Sequence, residues 1–209
     1  MNKTLLATIL AVATAGSASA ATIVQNGSFE DLGGQELNRG SWGLFEAIPG
    51  WTSPRDKIEV QTEGTVGLTP QDGHNYVELD ANNNSTLKQM ISLGRGAYEL
   101  VFYYSPRVQN PQFGSTNNID VQIGGLLDTD VGPAPSEELP FGEWTEIRTT
   151  FISKAAGDYM LTLNGRGRSD SLGGFIDNVS IAPVPVPAAG VLLLAGLGAL
   201  GAAKRRKTA

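Results

Sequence analysis

Glu78 and Asp80 are spaced two residues apart in an alternating segment, which brings two carboxylates to one face of a β-strand. Carboxylates about 6–7 Å apart can act as the acid and base of glycoside hydrolysis. The alternative, a solvent-facing row of acids on a half-buried strand, is the one that the pattern favours. The chain has no cysteine, and its single histidine, His74, is not accompanied by a G-x-S-x-G segment. We therefore expect a protein that is not an enzyme.

Aromatic and arginine side chains form a second set of candidate functional residues. Aromatic rings stack on the C–H faces of sugars, and the fixed N–H donors of arginine suit hydroxyls or uronic carboxylates. The candidates are Trp42, Phe45, Tyr103, Arg107 and Phe113. Of these, we predict that Trp42, Tyr103 and Arg107 bind a ligand. Trp42 lies between Gly-rich stretches and is expected to be exposed. A structural salt bridge is the open alternative for Arg107. Segments 31–50 and 105–117, rich in Gly, Asn and Pro, are predicted loops.

β-Strands must position these residues. Short apolar segments alternate with polar residues and are bounded by Gly, Asn, Asp and Pro clusters, which is the strand pattern. The segments are 76–80, 98–104, 118–123, 145–152, 159–164 and 175–181. In 98–104, alternation places the even-numbered residues in the core and Tyr103 on the opposite face. Trp51 is also expected in the core. Evenly spaced strands of this kind predict an all-β antiparallel sandwich or jelly roll.

Both ends of the chain carry targeting patterns. Residues 1–20 combine Lys3, an apolar run at 5–15 and small residues at 18–20, which is the order of a signal helix removed by signal peptidase. Residues 188–203 are uncharged and precede the basic cluster 204–207. Counted from Val184, the uncharged run is about 20 residues, enough for one transmembrane helix with a cytoplasmic C-terminus. Residues 21–183 are then an exported β-sandwich domain.

Residues 184–209 resemble a class of bacterial sorting tails. The segment Val184–Gly190, the apolar run and the basic cluster are similar to PEP-CTERM tails of the VPLPA subtype, with Val186 where that subtype usually has Leu. The resemblance implies handling by an exosortase-type membrane protease in a Gram-negative bacterium. It further implies an inner-membrane intermediate and release to the cell surface or extracellular matrix. A membrane anchor without processing is the alternative.

The charge of the middle region bears on its partners. The chain has 15 Lys and Arg residues and 21 Asp and Glu residues. Lys3 and residues 204–207 account for five of the basic residues, so ten remain against 21 acidic ones, a net charge of −11. Such a surface argues against binding to nucleic acid or to anionic lipid, and it is compatible with divalent cations.

A series of motifs runs through this middle region. In order they are Val24–Glu30, Ile48–Trp51, Gly73–Leu79, Gly96–Tyr104 and Phe175–Ile181. The series resembles the galactose-binding-like jelly-roll superfamily, whose relatives include carbohydrate-binding modules. The resemblance implies about eight to ten antiparallel strands, with the first and last close together. It also implies a structural calcium held by Glu30 and Asp177, because calcium prefers hard oxygen ligands. The alternative is a solvated Glu30 and a turn-capping Asp177.

These observations favour an exported, non-enzymatic surface or matrix protein that binds extracellular polysaccharide. One alternative is a structural biofilm protein that binds other proteins. A glycan-degrading enzyme that uses Glu78 is the other.

Overall fold

A computed structural model describes residues 22–107, 116–132 and 142–184 and shows antiparallel β-strands. The predicted signal peptide lies outside these residues, as do Phe113 and, apart from Val184, the predicted sorting tail. Among the described residues, no helix is long and apolar enough to cross a membrane. The described residues all fall within one unit, residues 21–184.

Twelve strands in the described part of the chain form two six-stranded sheets. The strands are β1 (Trp42–Phe45), β2 (Ala47–Ile48), β3 (Trp51–Thr52), β4 (Ile58–Thr62), β5 (Asn75–Glu78), β6 (Thr86–Leu93), β7 (Gly96–Ser105), β8 (Ile119–Ile123), β9 (Leu127–Val131), β10 (Thr145–Ser153), β11 (Gly157–Gly165) and β12 (Phe175–Pro183). Sheet A has the order β1-β4-β5-β12-β7-β10, and sheet B has the order β2-β3-β6-β11-β8-β9. The predicted all-β antiparallel sandwich is confirmed.

The core follows from the alternation of apolar and polar residues. On β7, Leu100 and Phe102 are fully buried in the main hydrophobic cluster, as predicted. Val77 of β5 and Leu79, which follows β5, belong to the same cluster. Burying a side chain of this size contributes about 1.5–3 kcal/mol. Trp51 is also buried, and its indole N–H donates to the Asn26 carbonyl at 2.9 Å. The core prediction for Trp51 is confirmed.

The opening segment runs antiparallel to the last strand. Ile23 N donates to the carbonyl of Ile181 at 2.8 Å, and Val179 N donates to the carbonyl of Gly27 at 2.9 Å. Position 27 must be glycine, because a Cβ there would lie 1.9 Å from the Val179 carbonyl oxygen. The beginning and end of the domain are therefore neighbours, as the jelly-roll resemblance implied.

The segment between β4 and β5, residues 63–74, crosses the outer face of sheet A, which is the face turned away from sheet B. We call it the crossover loop. Leu68 of this loop packs with Tyr76 and Phe175 in a second, separate hydrophobic cluster. The Trp144 indole N–H donates to the Thr69 carbonyl at 2.7 Å. The loop therefore covers the middle of the outer face. It separates the part of that face formed by β1 and β4 from the part formed by β7 and β10.

Candidate functional site

Two apolar side chains line the β1 edge of the outer face of sheet A. Trp42 is 55% exposed and Leu44 is 37% exposed, whereas Phe45 points to the core. Trp42 lies directly opposite Gln61 of β4, and Leu44 lies opposite Glu59. The predicted exposure of Trp42 is confirmed, although this residue lies on a strand and not in a loop. Phe45, proposed from sequence as a loop candidate, is buried, so that prediction is wrong.

A row of hydrogen-bonding side chains lies beside this apolar edge. Glu59 of β4 is directly opposite Glu78 of β5, and Gln61 is opposite Tyr76. The Gln61 side-chain N–H₂ donates to Glu59 at 2.8 Å and to Glu78, while its carbonyl accepts from the Tyr76 hydroxyl at 3.0 Å. Gln61, Tyr76 and Glu78 are almost fully buried, and Glu59 is half-buried. The polar row is therefore fixed by its own contacts.

Arg107, just after β7, closes the row. Its Nη1 donates to Glu78 Oε2 at 2.7 Å, and its guanidinium carbon lies 5.6 Å from the centre of the Phe175 ring. Its backbone N–H donates to Asn117 Oδ1 at 2.8 Å. A cation over an aromatic face is stabilised by the ring quadrupole. The salt bridge considered as an alternative for Arg107 is thus present, and a contact of Arg107 with ligand stays a prediction.

The two carboxyl groups of the row have perturbed acidity. Burial raises the pKa of Glu78 to about 9, against the opposing effect of Arg107, and the charge of Glu59 adds to the rise. Burial also raises the pKa of Glu59, and the hydrogen bond from Gln61 opposes this rise. Glu78 therefore keeps its proton at neutral pH. A protonated carboxyl group can donate a hydrogen bond within the row as well as accept one.

The prediction that Glu78 and Asp80 form a solvent-facing row is wrong. Glu78 is 1% exposed and Asp80 is fully buried. The segment before β12 covers both, since Gly173 N donates to Glu78 at 2.8 Å and Asp170 N donates to Asp80 at 2.8 Å. The carboxyl group paired with Glu78 is Glu59, on the neighbouring strand.

Tyr103 lies on the outer face, as alternation predicted, but away from Trp42. Its hydroxyl donates to Glu146 at 2.9 Å, and Arg148 Nε also donates to Glu146, at 3.0 Å. Its neighbour on β12 is Asp177, which the crossover loop covers. The structure therefore connects Trp42 to Arg107 through Gln61 and Glu78, and it places Tyr103 on the other side of the loop.

The two predicted calcium ligands hold the crossover loop from two sides. Glu30 accepts from the backbone N–H groups of His74 and Asn75, both at 2.8 Å. Asp177 Oδ2 accepts from those of Gln71 and Asp72, at 2.8 and 3.0 Å.

Asp177 is fully enclosed, and its second oxygen, Oδ1, accepts from Asn178 N at 2.6 Å. Burial raises the pKa of Asp177 to about 7, and the three backbone N–H donors oppose this rise. Among the described residues, no three His, Cys, Asp or Glu side chains form a group suited to a metal ion. Calcium at Glu30 and Asp177 stays a prediction. In the structure, backbone N–H groups contact these carboxylates, whereas a calcium ion would be surrounded by oxygen ligands.

Two depressions offer other candidate sites. A cavity of about 430 Å³ beside Glu30 is bounded by Leu32, Leu37, Arg39 and His74. A groove of about 300 Å³ on sheet B is lined by Lys88, Asp120, Asn164 and other polar residues. Neither lining contains a Trp, Tyr or Phe ring. The β1–β4 side of sheet A combines an exposed ring with ordered polar groups, and we take it as the candidate site.

The chain is similar to several solved structures. A family 61 carbohydrate-binding module in complex with β-1,4-galactotriose is 16% identical, with a TM-score of 0.52, and the match covers 79% of this chain and 100% of that one. A family 16 module is 16% identical with a TM-score of 0.47, over 77% of this chain and 99% of the module. A family 35 module from Paenibacillus barcinonensis is 18% identical with a TM-score of 0.41, over 69% of this chain and 99% of the module.

No protein-family model matches the sequence, and no curated protein matches it. The first of these likenesses shows that the chain has the jelly-roll β-sandwich fold of a carbohydrate-binding module.

Sequence reasoning missed two members of the polar row, Glu59 and Gln61. The signal was present, because Ile58-Glu59-Val60-Gln61 alternates strictly between apolar and polar residues. The segment is short and follows the charged stretch Arg55-Asp56-Lys57, so it did not stand out as a strand.

Proposed function

We propose that this domain is a non-catalytic glycan-binding module whose binding surface is the β1–β4 side of the outer face of sheet A. The observation that carries the proposal is the exposed side chain of Trp42 at the strand position directly opposite Gln61, whose side chain is ordered by its hydrogen bonds. Aromatic rings stack on sugar C–H faces, while neighbouring polar groups orient the hydroxyls. The shared fold with a module solved in complex with a galactose trisaccharide supports a glycan as the ligand class.

The buried members of the polar row hold the half-buried Glu59 in place before a ligand binds. Gln61 is held by Glu59, Glu78 and Tyr76, and Glu78 is also held by Arg107. Side chains that are already ordered lose little conformational entropy on binding, so more of the contact energy contributes to affinity. Half-buried Glu59 is the carboxylate of the row that a ligand hydroxyl reaches from solvent.

The burial of Glu78 supports binding rather than hydrolysis. Retaining glycoside hydrolases place two carboxyl groups about 5–5.5 Å apart around the sugar, and inverting enzymes place them about 6.5–9.5 Å apart. Both arrangements need two carboxyl groups that reach the substrate. Glu78 is 1% exposed and accepts from Gln61, Arg107 and Gly173, which leaves no room beside it for a sugar carbon or an attacking water.

The predicted targeting patterns supply the biological setting of the proposal. A signal peptide at residues 1–20 and a sorting tail at 184–209 are expected to take the domain to the cell surface or extracellular matrix. The abundant glycan there is extracellular polysaccharide. The acidic middle region disfavours nucleic acid as a competing partner.

Affinity electrophoresis of the purified full chain through gels containing β-1,4-galactan, together with a glycan array, tests this function. We expect retention by at least one glycan and about tenfold weaker binding in Trp42→Ala. Met90→Ala is the matched control, because Met90 is 58% exposed on β6 of the other sheet. Absence of retention on every glycan, or equal retention of wild type and Trp42→Ala, would overturn the proposal.

A further inference from the structure

Three oxygen atoms near the end of β5 are buried and have no hydrogen-bond donor. They are Asp80 Oδ1, Asn84 Oδ1 and Asp170 Oδ1. The Asp80 side chain is fully enclosed, so its free oxygen has no access to bulk water. Buried acceptors without a partner are rare, and each costs about 1–3 kcal/mol, more for a charged group. All three residues lie on neighbouring segments, and a bound ion is one way in which such atoms are satisfied.

The three residues lie on two segments that contact each other. Asp170 N donates to Asp80 Oδ2 at 2.8 Å, and Asp80 forms an antiparallel bridge with Asn84. The Asn84 backbone N–H donates to Ser169 Oγ at 3.2 Å, and its side-chain N–H₂ donates to the Gly167 carbonyl at 2.8 Å. The turn at residues 80–84 is therefore packed directly against residues 167–170.

The charges around Asp80 and Asp170 favour a bound cation. Two carboxyl groups meet here, since Asp170 N donates to the fully enclosed Asp80 side chain, and like charges at this distance repel each other. Backbone N–H groups and one hydroxyl, that of Thr116 on Asp170, satisfy only the Oδ2 atoms of the two carboxylates. A positive ion between the free oxygens would relieve both the repulsion and the unsatisfied acceptors.

This arrangement differs from that at Glu30 and Asp177. Both oxygens of Asp177, and one oxygen of Glu30, accept backbone N–H groups. At Asp80, Asn84 and Asp170 the free atoms are all oxygens, two from carboxylates and one from an amide, which is the donor chemistry that calcium prefers. We propose that a calcium-type divalent cation binds between the 80–84 turn and residues 167–170, with Asp80, Asn84 and Asp170 as its side-chain ligands.

The cation would fix the segment that supports Glu78. Leu172 N donates to Asp80 at 3.4 Å, and Gly173 N donates to Glu78 at 2.8 Å. The cation site stands on its own contacts, however, and does not depend on glycan binding.

Calorimetric titration of the chelator-treated full chain with CaCl₂ tests the site. We expect saturable binding near one ion per chain and an increase in Tm on adding calcium, because a ligand that binds only the folded state stabilises it. Asp80→Asn and Asp170→Asn are expected to weaken calcium binding about tenfold or more, because each removes a ligand charge. Asp170 is only partly buried, so Asp170→Asn keeps the test informative if Asp80→Asn does not fold.

Glu30→Gln is the matched control, because glutamine keeps the oxygen that accepts from His74 and Asn75. We expect its affinity for calcium to equal that of wild type. The proposal is overturned if the wild-type chain binds no calcium. It is equally overturned if Glu30→Gln abolishes binding while Asp80→Asn and Asp170→Asn retain it, since the ion then occupies the site predicted from sequence.

Discussion

Glu59 and Glu78 lie directly opposite each other on β4 and β5, and the side-chain N–H₂ of Gln61 donates to both of their carboxyl groups. Burial and the neighbouring charge of Glu59 favour the protonated form of Glu78. Arg107 opposes this effect through its 2.7 Å contact with Glu78. This link between a proton and a folded contact makes the stability of the domain depend on pH.

The first prediction concerns that dependence. The pKa of Glu78 is raised from 4.5 to about 9 in the folded chain, so between these values the folded state holds a proton that the unfolded state has lost. Its contribution is therefore complete below about pH 4.5 and is lost as the pH rises through about 9. Urea denaturation at several pH values is expected to show falling stability over this range.

Glu78→Gln separates this effect from that of Asp177. The pKa of Asp177 is raised to about 7, so its contribution is lost as the pH rises through that value. From about one pH unit higher up to about pH 9 the remaining decline belongs to Glu78. Glu78→Gln is expected to flatten this decline, whereas Asp177→Asn leaves it in place. An equally steep decline in Glu78→Gln would show that another group titrates there.

The second prediction tests the contact between the opening segment and β12. Gly27→Ala would place a Cβ 1.9 Å from the Val179 carbonyl oxygen, so the segment must move away from the strand. We expect a loss of about 1–3 kcal/mol in the free energy of unfolding, measured by urea denaturation. In Gly157→Ala the new Cβ meets Tyr159 only at ordinary contact distances of 3.7 Å or more, so this control is expected to stay near wild type.

The third prediction concerns the crossover loop. Trp144→Phe keeps an aromatic ring near Tyr76 but removes the N–H that donates to the Thr69 carbonyl. The lost hydrogen bond is worth about 0.5–1.5 kcal/mol, and residues 63–74 are expected to exchange amide hydrogens faster. Trp42→Phe is the control, since Trp42 is exposed on β1. Unchanged exchange in Trp144→Phe would mean that the hydrogen bond does not anchor the loop.

The fourth prediction uses tryptophan fluorescence. The chain has three tryptophans, of which Trp51 is buried and Trp144 is partly covered, so acrylamide should quench Trp42 most strongly. A bound glycan stacked on Trp42 is expected to reduce that quenching, and Trp42→Phe is expected to remove the effect. If the glycan protects Trp42→Phe equally, it covers a different surface.

The local alternation of apolar and polar residues was enough to predict the sandwich, because it indicates which residues of each strand face the core. It placed Leu100 and Phe102 inward, and it separated Val77 and Leu79 from Glu78. The exposure of Trp42 also followed from its polar and glycine-rich surroundings. These features depend on residues close together in sequence.

The errors concern contacts between distant segments. Glu78 and Asp80 are buried by residues more than 85 positions later in the chain, which alternation within 76–80 does not reveal. Strand β1 lies in a glycine-rich segment and exists through its pairing with β4. The separation of Tyr103 from Trp42 likewise depends on the path of the crossover loop. Loop paths and non-local pairing are set by tertiary structure and leave little local signal.

The antiparallel contact between the opening segment and β12 has a mechanical consequence. Residue 22 and residue 184 emerge side by side, so tension that separates these two positions pulls along the hydrogen bonds and loads them one at a time. The bonds from Ile181 N to Thr22, from Ile23 to Ile181 and from Val179 to Gly27 would then break one after another, as in an opening zipper. A domain pulled in this way yields at lower force than one whose terminal strands must slide past each other, and its first segment to detach is residues 22–27.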